Sequence, residues 1–358
     1  MNPLHIGIAG AGLAGRTLAW RLARSGCRVS LFDSRARDAL DTASMTAAAM
    51  LSPLAELAVS DEAVFALGQR SMRLWPRWIA ELAENGQQPV YFRQQGTLVV
   101  AHAPDQSSLA HFTRLLDHKL PDACRAQVRT LDAAALAGHE PALAGRFGGG
   151  LLLEGEGQLD NGQWMTALAL ELDRLGVRWH ESQAVQSVGE GRIVCGNASH
   201  AVDVAVDARG VGSKAQWPQL RGVRGEVLTV ECAGMSLRRP VRLMHPRYQI
   251  YVAPRPNRQF VVGATELESE DTGPVTLRST LELGSALHSL HPAFGEARVL
   301  RLAAALRPAL DDHRPALALR GGVWHINGLY RHGFLCAPAL VDALVQQLVT
   351  TTSNEELA

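Results

Sequence analysis

Gly10, Gly12 and Gly15 carry the spacing G-x-G-x-x-G within "IGIAGAGLAG", and Asp33 follows about 20 residues later. Residues of these types at these intervals can hold a dinucleotide. Gly10 permits a tight turn, Gly12 lets the backbone approach a pyrophosphate, and Gly15 lets a helix pack closely on a strand. The N-terminus of that helix faces the phosphates' negative charge, and Asp33 is placed to accept hydrogen bonds from an adenosine ribose.

Glycine is common in this chain, with 33 copies, so the motif needs its surrounding elements. Residues 4–9 form an Ile-rich apolar run, which predicts a buried parallel strand. Leu18, Leu22 and Ala23 then recur at helical spacing, and the helix is expected to stop at Ser25-Gly26. A second strand is expected over Arg28–Phe32, closing on Asp33. Strand, glycine turn, helix, strand and acid therefore come in the order the mechanism requires.

The chain has 358 residues, 47% of them hydrophobic, enough for one large or two ordinary domains with a substantial core. Lys plus Arg and Asp plus Glu both number 35, so nothing in the charge points to nucleic acid. Arg16, Arg21, Arg24, Arg28, Arg35 and Arg37 cluster near the start, and several are expected on a solvated helix face. Cys27, Cys124, Cys195, Cys232 and Cys336 show no C-x-x-C pairing, which argues against a metal site and against a disulfide framework. The apolar start lacks a basic leader, and no stretch is expected to span a bilayer. A cytoplasmic protein with no membrane partner is the expectation.

Further along, small residues over 42–53 suit a backbone passing close to a flat ligand. A helix is expected over 61–84, kinked or broken at Pro76. Short strands are expected over 90–101 and an amphipathic helix over 109–118. Texture of α/β type returns around 149–180 and at the strand 202–213, followed by β-rich segments at 225–231, 249–253 and 259–263. A closing helix is expected through Gln347, and the last residues from Thr350 as a frayed tail. The fold class expected is α/β: a doubly wound Rossmann-like nucleotide domain (1–88, 149–220 and 301–358), with an interleaved, mainly antiparallel β domain (89–148 and 221–300).

The ordered segments "SMTAAAML", "RGEVLTVE", "IYVAPR", "VVGAT", "LRPALDD" and "LYRHGFLCAPAL", with the glycine motif and Asp33, resemble the D-amino-acid oxidase family of flavoenzymes, bacterial glycine oxidases most closely. The resemblance implies non-covalent FAD. It places Leu13 and Ala14 at the pyrophosphate turn, and Asp33 and Ser34 at the ribose. Ala43, Ser44, Ala48, Ala49 and Met50 would run along the flavin, with Gly210 also at the cofactor. Val185, at the end of a strand-like segment, would meet the adenine through its backbone. Leu329, Tyr330, Arg331, His332, Gly333, Phe334 and Leu335 would wrap the flavin's pyrimidine end. Arg307 would grip a substrate carboxylate in bidentate fashion, Tyr251 would help hold it, and Arg331 would lie near the amine and the flavin.

The implied chemistry is oxidation of a small amino acid or secondary amine of glycine, sarcosine or D-amino-acid type. A hydride passes to flavin, the imine hydrolyses to an oxo acid, and oxygen is the acceptor. The histidines His245, His325 and His332 are then expected to serve as hydrogen-bonding residues. Four positions depart from the family pattern: Ala49 replaces a glycine, Leu329 a histidine, His332 an asparagine and Arg209 a small residue. These departures motivate an alternative, an amine oxidoreductase acting on a larger molecule such as a modified nucleoside or a peptide side chain, or a non-catalytic FAD-binding protein. "VDARGVGS" also resembles a loop of flavin hydroxylases, but no late Gly-Asp-Ala segment accompanies it.

Overall fold

The computed structural model describes residues 3–84, 89–245 and 250–355, with side chains as far as Val349. Two large sheets dominate. The first has six strands in the order Ala316–Arg320, Val323–Asn327, Val204–Asp207, His5–Ala9, Arg28–Phe32 and Arg178–His180. All pairings are parallel except the first, so only one edge is antiparallel. Ile6, Ile8, Leu18, Leu31 and Val206 fill the layer between this sheet and its helices. Four indoles, Trp20, Trp75, Trp78 and Trp164, pack edge-on in the same core, with centroids as close as 4.8 Å between Trp75 and Trp164.

The second sheet has eight strands: Arg298–Ala309, Arg221–Glu231, Gln259–Gly263, Ile250–Pro254, Val241–Leu243, Thr97–Val100, Gly149–Leu153 and Val128–Asp132. Every pairing is antiparallel except Val241–Leu243 with Thr97–Val100. Side chains alternate across it. Leu228, Val230, Val252, Phe260 and Val262 point into a core closed by the helix Leu277–Leu290. The other face looks back at the nucleotide sheet. The chain crosses between the two layers repeatedly, so the interleaved α/β architecture expected from the sequence is the one observed.

Two strands join the eight-stranded sheet from beyond the expected boundaries. Gly149–Leu153 and Arg298–Ala309 are hydrogen-bonded into the eight-stranded sheet, although the expected boundaries at 149 and 301 put most of them in the nucleotide layer. The second pairs with Arg221–Glu231 along its whole length, and this backbone pairing, invisible in local texture, decides its layer. Pro76 does not break its helix, which runs unbroken from Glu62 to Ala83. Burial of Leu74, Trp75 and Trp78 on either side holds the turn that the missing N–H weakens. Arg16 is not on a solvated face: it is buried, and its guanidinium donates to the carbonyls of Ala11, Met165 and Arg37. Val185 opens the strand Val185–Gly189 instead of ending one, and the strand expected over 202–213 is shorter, Val204–Asp207. Gln249 lies outside the described residues.

The closing helix runs from Gly333 to Glu355, past the expected fraying point at Thr350; residues 356–358 lie outside the described residues. Contrary to expectation, residues Tyr330–Val349 are long and apolar enough by composition to cross a bilayer, with mean hydropathy 1.3. Within the fold 61% of that window is buried, packed on the helices Leu13–Arg24 and Glu62–Ala83.

Candidate active site

Between the two sheets lies a cavity of about 750 Å³, within the range of ligand pockets. Its floor is the first βαβ unit. The helix Leu13–Arg24 starts after Gly12 with no side-chain cap, so its first amides are left for a ligand at the cavity wall that Gly12, Leu13 and Ala14 form. A Cβ on Gly12 would meet nothing within 4 Å, whereas one on Gly15 would sit 1.8 Å from the Gly10 carbonyl oxygen. Gly12 is thus open toward the cavity, and Gly15 is the helix–strand contact. Asp33 accepts the Ala11 amide on Oδ2 at 2.6 Å and the Arg35 amide on Oδ1 at 2.8 Å. A carboxylate has about four lone-pair sites, which leaves acceptor capacity for a sugar hydroxyl.

Every residue singled out from the sequence as cofactor-contacting lines this cavity except Gly15. Ala43 and Ser44 begin a one-turn helix capped by Thr42, and the Asn161 amide pins the Ser44 carbonyl at 2.9 Å. Ala49 sits at φ 46°, the left-handed region, which explains why a glycine suits that position. At the far end, Arg209 Nη1 donates to the Val185 carbonyl at 2.9 Å while its guanidinium pairs with Asp207 at 2.7 Å. The Val185 backbone expected to meet adenine is therefore already engaged through its carbonyl, by one of the four departures from the family pattern. The closing segment 329–335 turns sharply at Tyr330, φ 46°, and is pinned where Trp75 Nε1 donates to the Phe334 carbonyl at 3.1 Å.

The roof is the inner face of the eight-stranded sheet, and strand register decides what hangs from it. Arg242 pairs with Tyr251, Tyr251 with Gly263, Gly263 with Val227 and Val227 with Ala303. Arg307 lies two alternations further along the last strand. Period-two alternation therefore puts Arg242, Tyr251 and Arg307 on one face. Two glycines make room for them. A Cβ on Gly225 would come within 2.3 Å of the Arg307 guanidinium carbon, and one on Gly263 within 2.5 Å of the Tyr251 hydroxyl. Arg307 Nη1 donates to the Thr265 carbonyl at 2.9 Å and has no carboxylate within 4.0 Å among the described residues. Burial raises the Tyr251 hydroxyl pKa, so it stays a neutral donor.

Arg331 also reaches the cavity, but it is held by two acids: Nη2 lies 3.2 Å from Glu56 Oε2, and Nη1 lies 3.2 Å from Glu266 Oε2. Glu56 further accepts Arg242 Nη2 at 2.8 Å. Burial would push the Glu56 carboxyl up, but the guanidiniums of Arg331 and Arg242 outweigh it and hold the pKa at about 2. His332 is driven down to about 4 by burial, against the pull of Glu56, and is neutral at pH 7. Tyr330 donates its hydroxyl to Glu266. Below this network, burial pushes Glu156 up to about 7; its Oε1 accepts the Ala55 amide at 2.8 Å.

Sequence reading missed Glu56, Arg242 and Glu266. The available signal was slight: an acid inside the apolar helix Pro53–Val59 and an arginine inside the apolar strand Val241–Leu243. Of the histidines expected to serve as hydrogen-bonding residues, His332 lies 3.4 Å from Ser60 Oγ through Nε2, and the Nδ1 atoms of both His332 and His325 are buried with no hydrogen-bond partner among the described residues.

A glycine turn of dinucleotide-binding type below, an antiparallel roof above and an arginine facing the cavity from that roof are the arrangement of a two-layer nucleotide-binding protein. The chain belongs to the DAO family of FAD dependent oxidoreductases, whose pattern matches residues 5–347. It is 40% identical over 353 residues to a Rhizobium etli protein bearing the name thiamine biosynthesis oxidoreductase ThiO, covering 99% of both chains. It is 24% identical to a Bacillus licheniformis glycine oxidase, covering 96% of this chain and 92% of that one. The fold matches the crystal structure of glycine oxidase from Geobacillus kaustophilus with TM-score 0.82 at 23% identity, covering 97% of this chain and 95% of that one. The residues present fit FAD: the open face of Gly12, the uncapped helix start and the remaining acceptor capacity of Asp33 are what its pyrophosphate and ribose require.

Proposed function

We propose that the chain oxidises a small amino acid or secondary amine, of glycine, sarcosine or D-amino-acid type, to an imine that water hydrolyses to an oxo acid, with oxygen as the terminal acceptor. When bound, FAD supplies the acceptor for the hydride leaving the substrate's α-carbon. It would lie with its pyrophosphate at Gly12, Leu13 and Ala14, its ribose at Asp33 and Ser34, and its ring along Ala48, Ala49 and Met50. The observation that carries the reading is Arg307, a guanidinium that lines the cavity and has no acid partner among the described residues. A bidentate arginine fixes both the position and the rotation of a carboxylate, and orientation is the protein's main contribution to such a transfer. Tyr251, neutral and within the electrostatic reach of Arg307, would donate to the same carboxylate. The apolar wall of Val227, Ile250 and Ala264 excludes water from the reacting carbon and favours the uncharged amine. No side-chain base is needed once the amine binds neutral.

The five cysteines are free, and the names of the relatives belong to enzymes of metabolism, which supports a place in the reducing cytoplasm. The division into two domains follows best from sheet membership, with 149–153 and 298–309 counted in the roof.

Anaerobic addition of glycine, sarcosine and D-alanine to the purified flavoprotein tests the reading. Flavin bleaching is expected from at least one of them, and Arg307→Ala is expected to lower the apparent affinity about 100- to 1,000-fold, the loss of a buried charged hydrogen-bond pair. Flavin that stays oxidised with all three would overturn the proposal in favour of a larger amine.

A further inference from the structure

The roof end of the cavity holds more positive groups than a single carboxylate needs. Arg242, Arg307 and Arg331 all line it, but they are not equivalent. Arg242 is 2.8 Å from Glu56, and Arg331 is 3.2 Å from both Glu56 and Glu266. Among the described residues Arg307 donates to the Thr265 carbonyl and has no carboxylate within 4.0 Å. Three guanidiniums against two carboxylates leave one positive charge. The remaining titratable group against Glu56, His332, is neutral at pH 7, and the Tyr330 hydroxyl that donates to Glu266 is neutral as well.

We infer that Glu56 and Glu266 set the charge of the substrate: by occupying Arg242 and Arg331 they leave one guanidinium free, so the cavity accepts amino acids with one carboxylate and rejects those with a second. The inference rests on the reading of Arg307 as the carboxylate anchor. A second carboxylate entering this space would find its cationic partners already paired. It would also stand beside two carboxylates in a partly desolvated cavity, where like charges repel strongly. Glu56 cannot relieve the clash by taking a proton, since its two guanidiniums hold it ionised throughout the neutral range. Rejection here is therefore an occupied partner and a repulsive one together, the two elements from which charge specificity is built.

The partly exposed Glu266 is the position at which this can be tested without disturbing the core; Glu56 is buried and serves as the second variant. The test uses the FAD-loaded protein under anaerobic conditions and two acids that lack an amine, glycolate with one carboxylate and malonate with two, their binding read from the perturbed absorbance of oxidised flavin. Glycine and iminodiacetate provide the parallel measurement by anaerobic flavin reduction. In the natural chain glycolate is expected to bind well over tenfold tighter than malonate. Glu266→Gln is expected to raise the malonate-to-glycolate affinity ratio at least tenfold and the iminodiacetate-to-glycine rate ratio in parallel, with Glu266→Asp retaining the natural preference. Glu56→Gln, if it folds by its melting transition, is expected to shift the ratio in the same direction.

A purely structural network would lower the melting temperature and leave the ratio unchanged, which overturns the inference. So does malonate binding as tightly as glycolate in the natural chain. If glycolate binds and Arg307→Ala abolishes it while Glu266→Gln changes no ratio, this inference alone fails. If neither acid perturbs the flavin, the anchor reading fails and takes the inference with it.

Discussion

The two ends of the cavity are made of different material. The floor presents backbone: uncapped amides at the start of the helix Leu13–Arg24, a glycine with open space before it and another with none. The roof presents polar and charged side chains: Arg242, Tyr251 and Arg307 from three strands, Glu56 from a short helix, and Glu266 and Arg331 from the segments beside them, with glycines cleared beneath Tyr251 and Arg307. Backbone cannot be repositioned without moving the element that carries it, whereas a guanidinium on a flexible stem can be moved, neutralised or released by one neighbour. The floor is thereby committed to one ligand, and the roof is where specificity can change.

The sharpest way to break that comparison is to place a methyl group at each end. Gly15→Ala would drive Cβ to 1.8 Å from the Gly10 carbonyl oxygen, a backbone atom with nowhere to go. The helix must separate from the first strand, at a cost of about 3 kcal/mol, the upper part of the range for overpacking. The expected result is a melting temperature lowered by several degrees and a protein isolated without flavin, checked by calorimetry and by absorbance of the purified protein.

Gly225→Ala makes a comparably short contact at the roof, 2.3 Å, but with the Arg307 guanidinium, the far end of a flexible side chain. Stability is expected to fall by less than about 1 kcal/mol, because the guanidinium swings aside. Flavin content should be unchanged and glycolate affinity reduced about 10- to 100-fold, since a displacement of about 1 Å is enough to spoil a bidentate pair. Flavin titration and carboxylate titration of the same sample separate the two effects. Loss of flavin in this variant, or its retention in Gly15→Ala, would erase the distinction between the ends.

The same contrast decided what could be read from the sequence. A backbone-built site is contiguous: Gly10 to Asp33 spells out turn, helix and second strand in order, and every structural consequence follows from neighbours in the chain. The roof is assembled from positions 56, 242, 251, 266, 307 and 331, which meet only through strand register and the docking of a short helix. Arg307 and Tyr251 were legible because the short segments around them resemble a known family. Arg242 was not, because its place opposite Tyr251 is a fact of pairing, and Glu56 was not, because an acid in the first turn of a helix is ordinarily a solvated dipole partner. The strand Arg298–Ala309 runs across the expected boundary at 301 for a related reason: local composition cannot say which of two sheets a strand will join.

Ala49 stands between the two ends and belongs to neither kind. It lines the cavity, as the floor does, yet it carries a side chain in a conformation, φ 46°, that L-residues resist by roughly 1–2 kcal/mol. Its amide carbonyl accepts Leu159 N–H at 3.2 Å and the adjoining Ala48 carbonyl accepts the buried Arg255, so the surrounding strand pairing holds the strained residue in place. Ala49→Gly removes the strain while adding about 0.5–1 kcal/mol of unfolded-state entropy. The net expectation is a gain of about 0.5 kcal/mol, a shift of a degree or two in melting temperature. The gain should appear equally in flavin-free and flavin-loaded protein, because backbone conformation is its source. A gain confined to the loaded protein would mean instead that the alanine methyl presses on the cofactor, and the loop 47–50 would then behave as part of the adjustable roof.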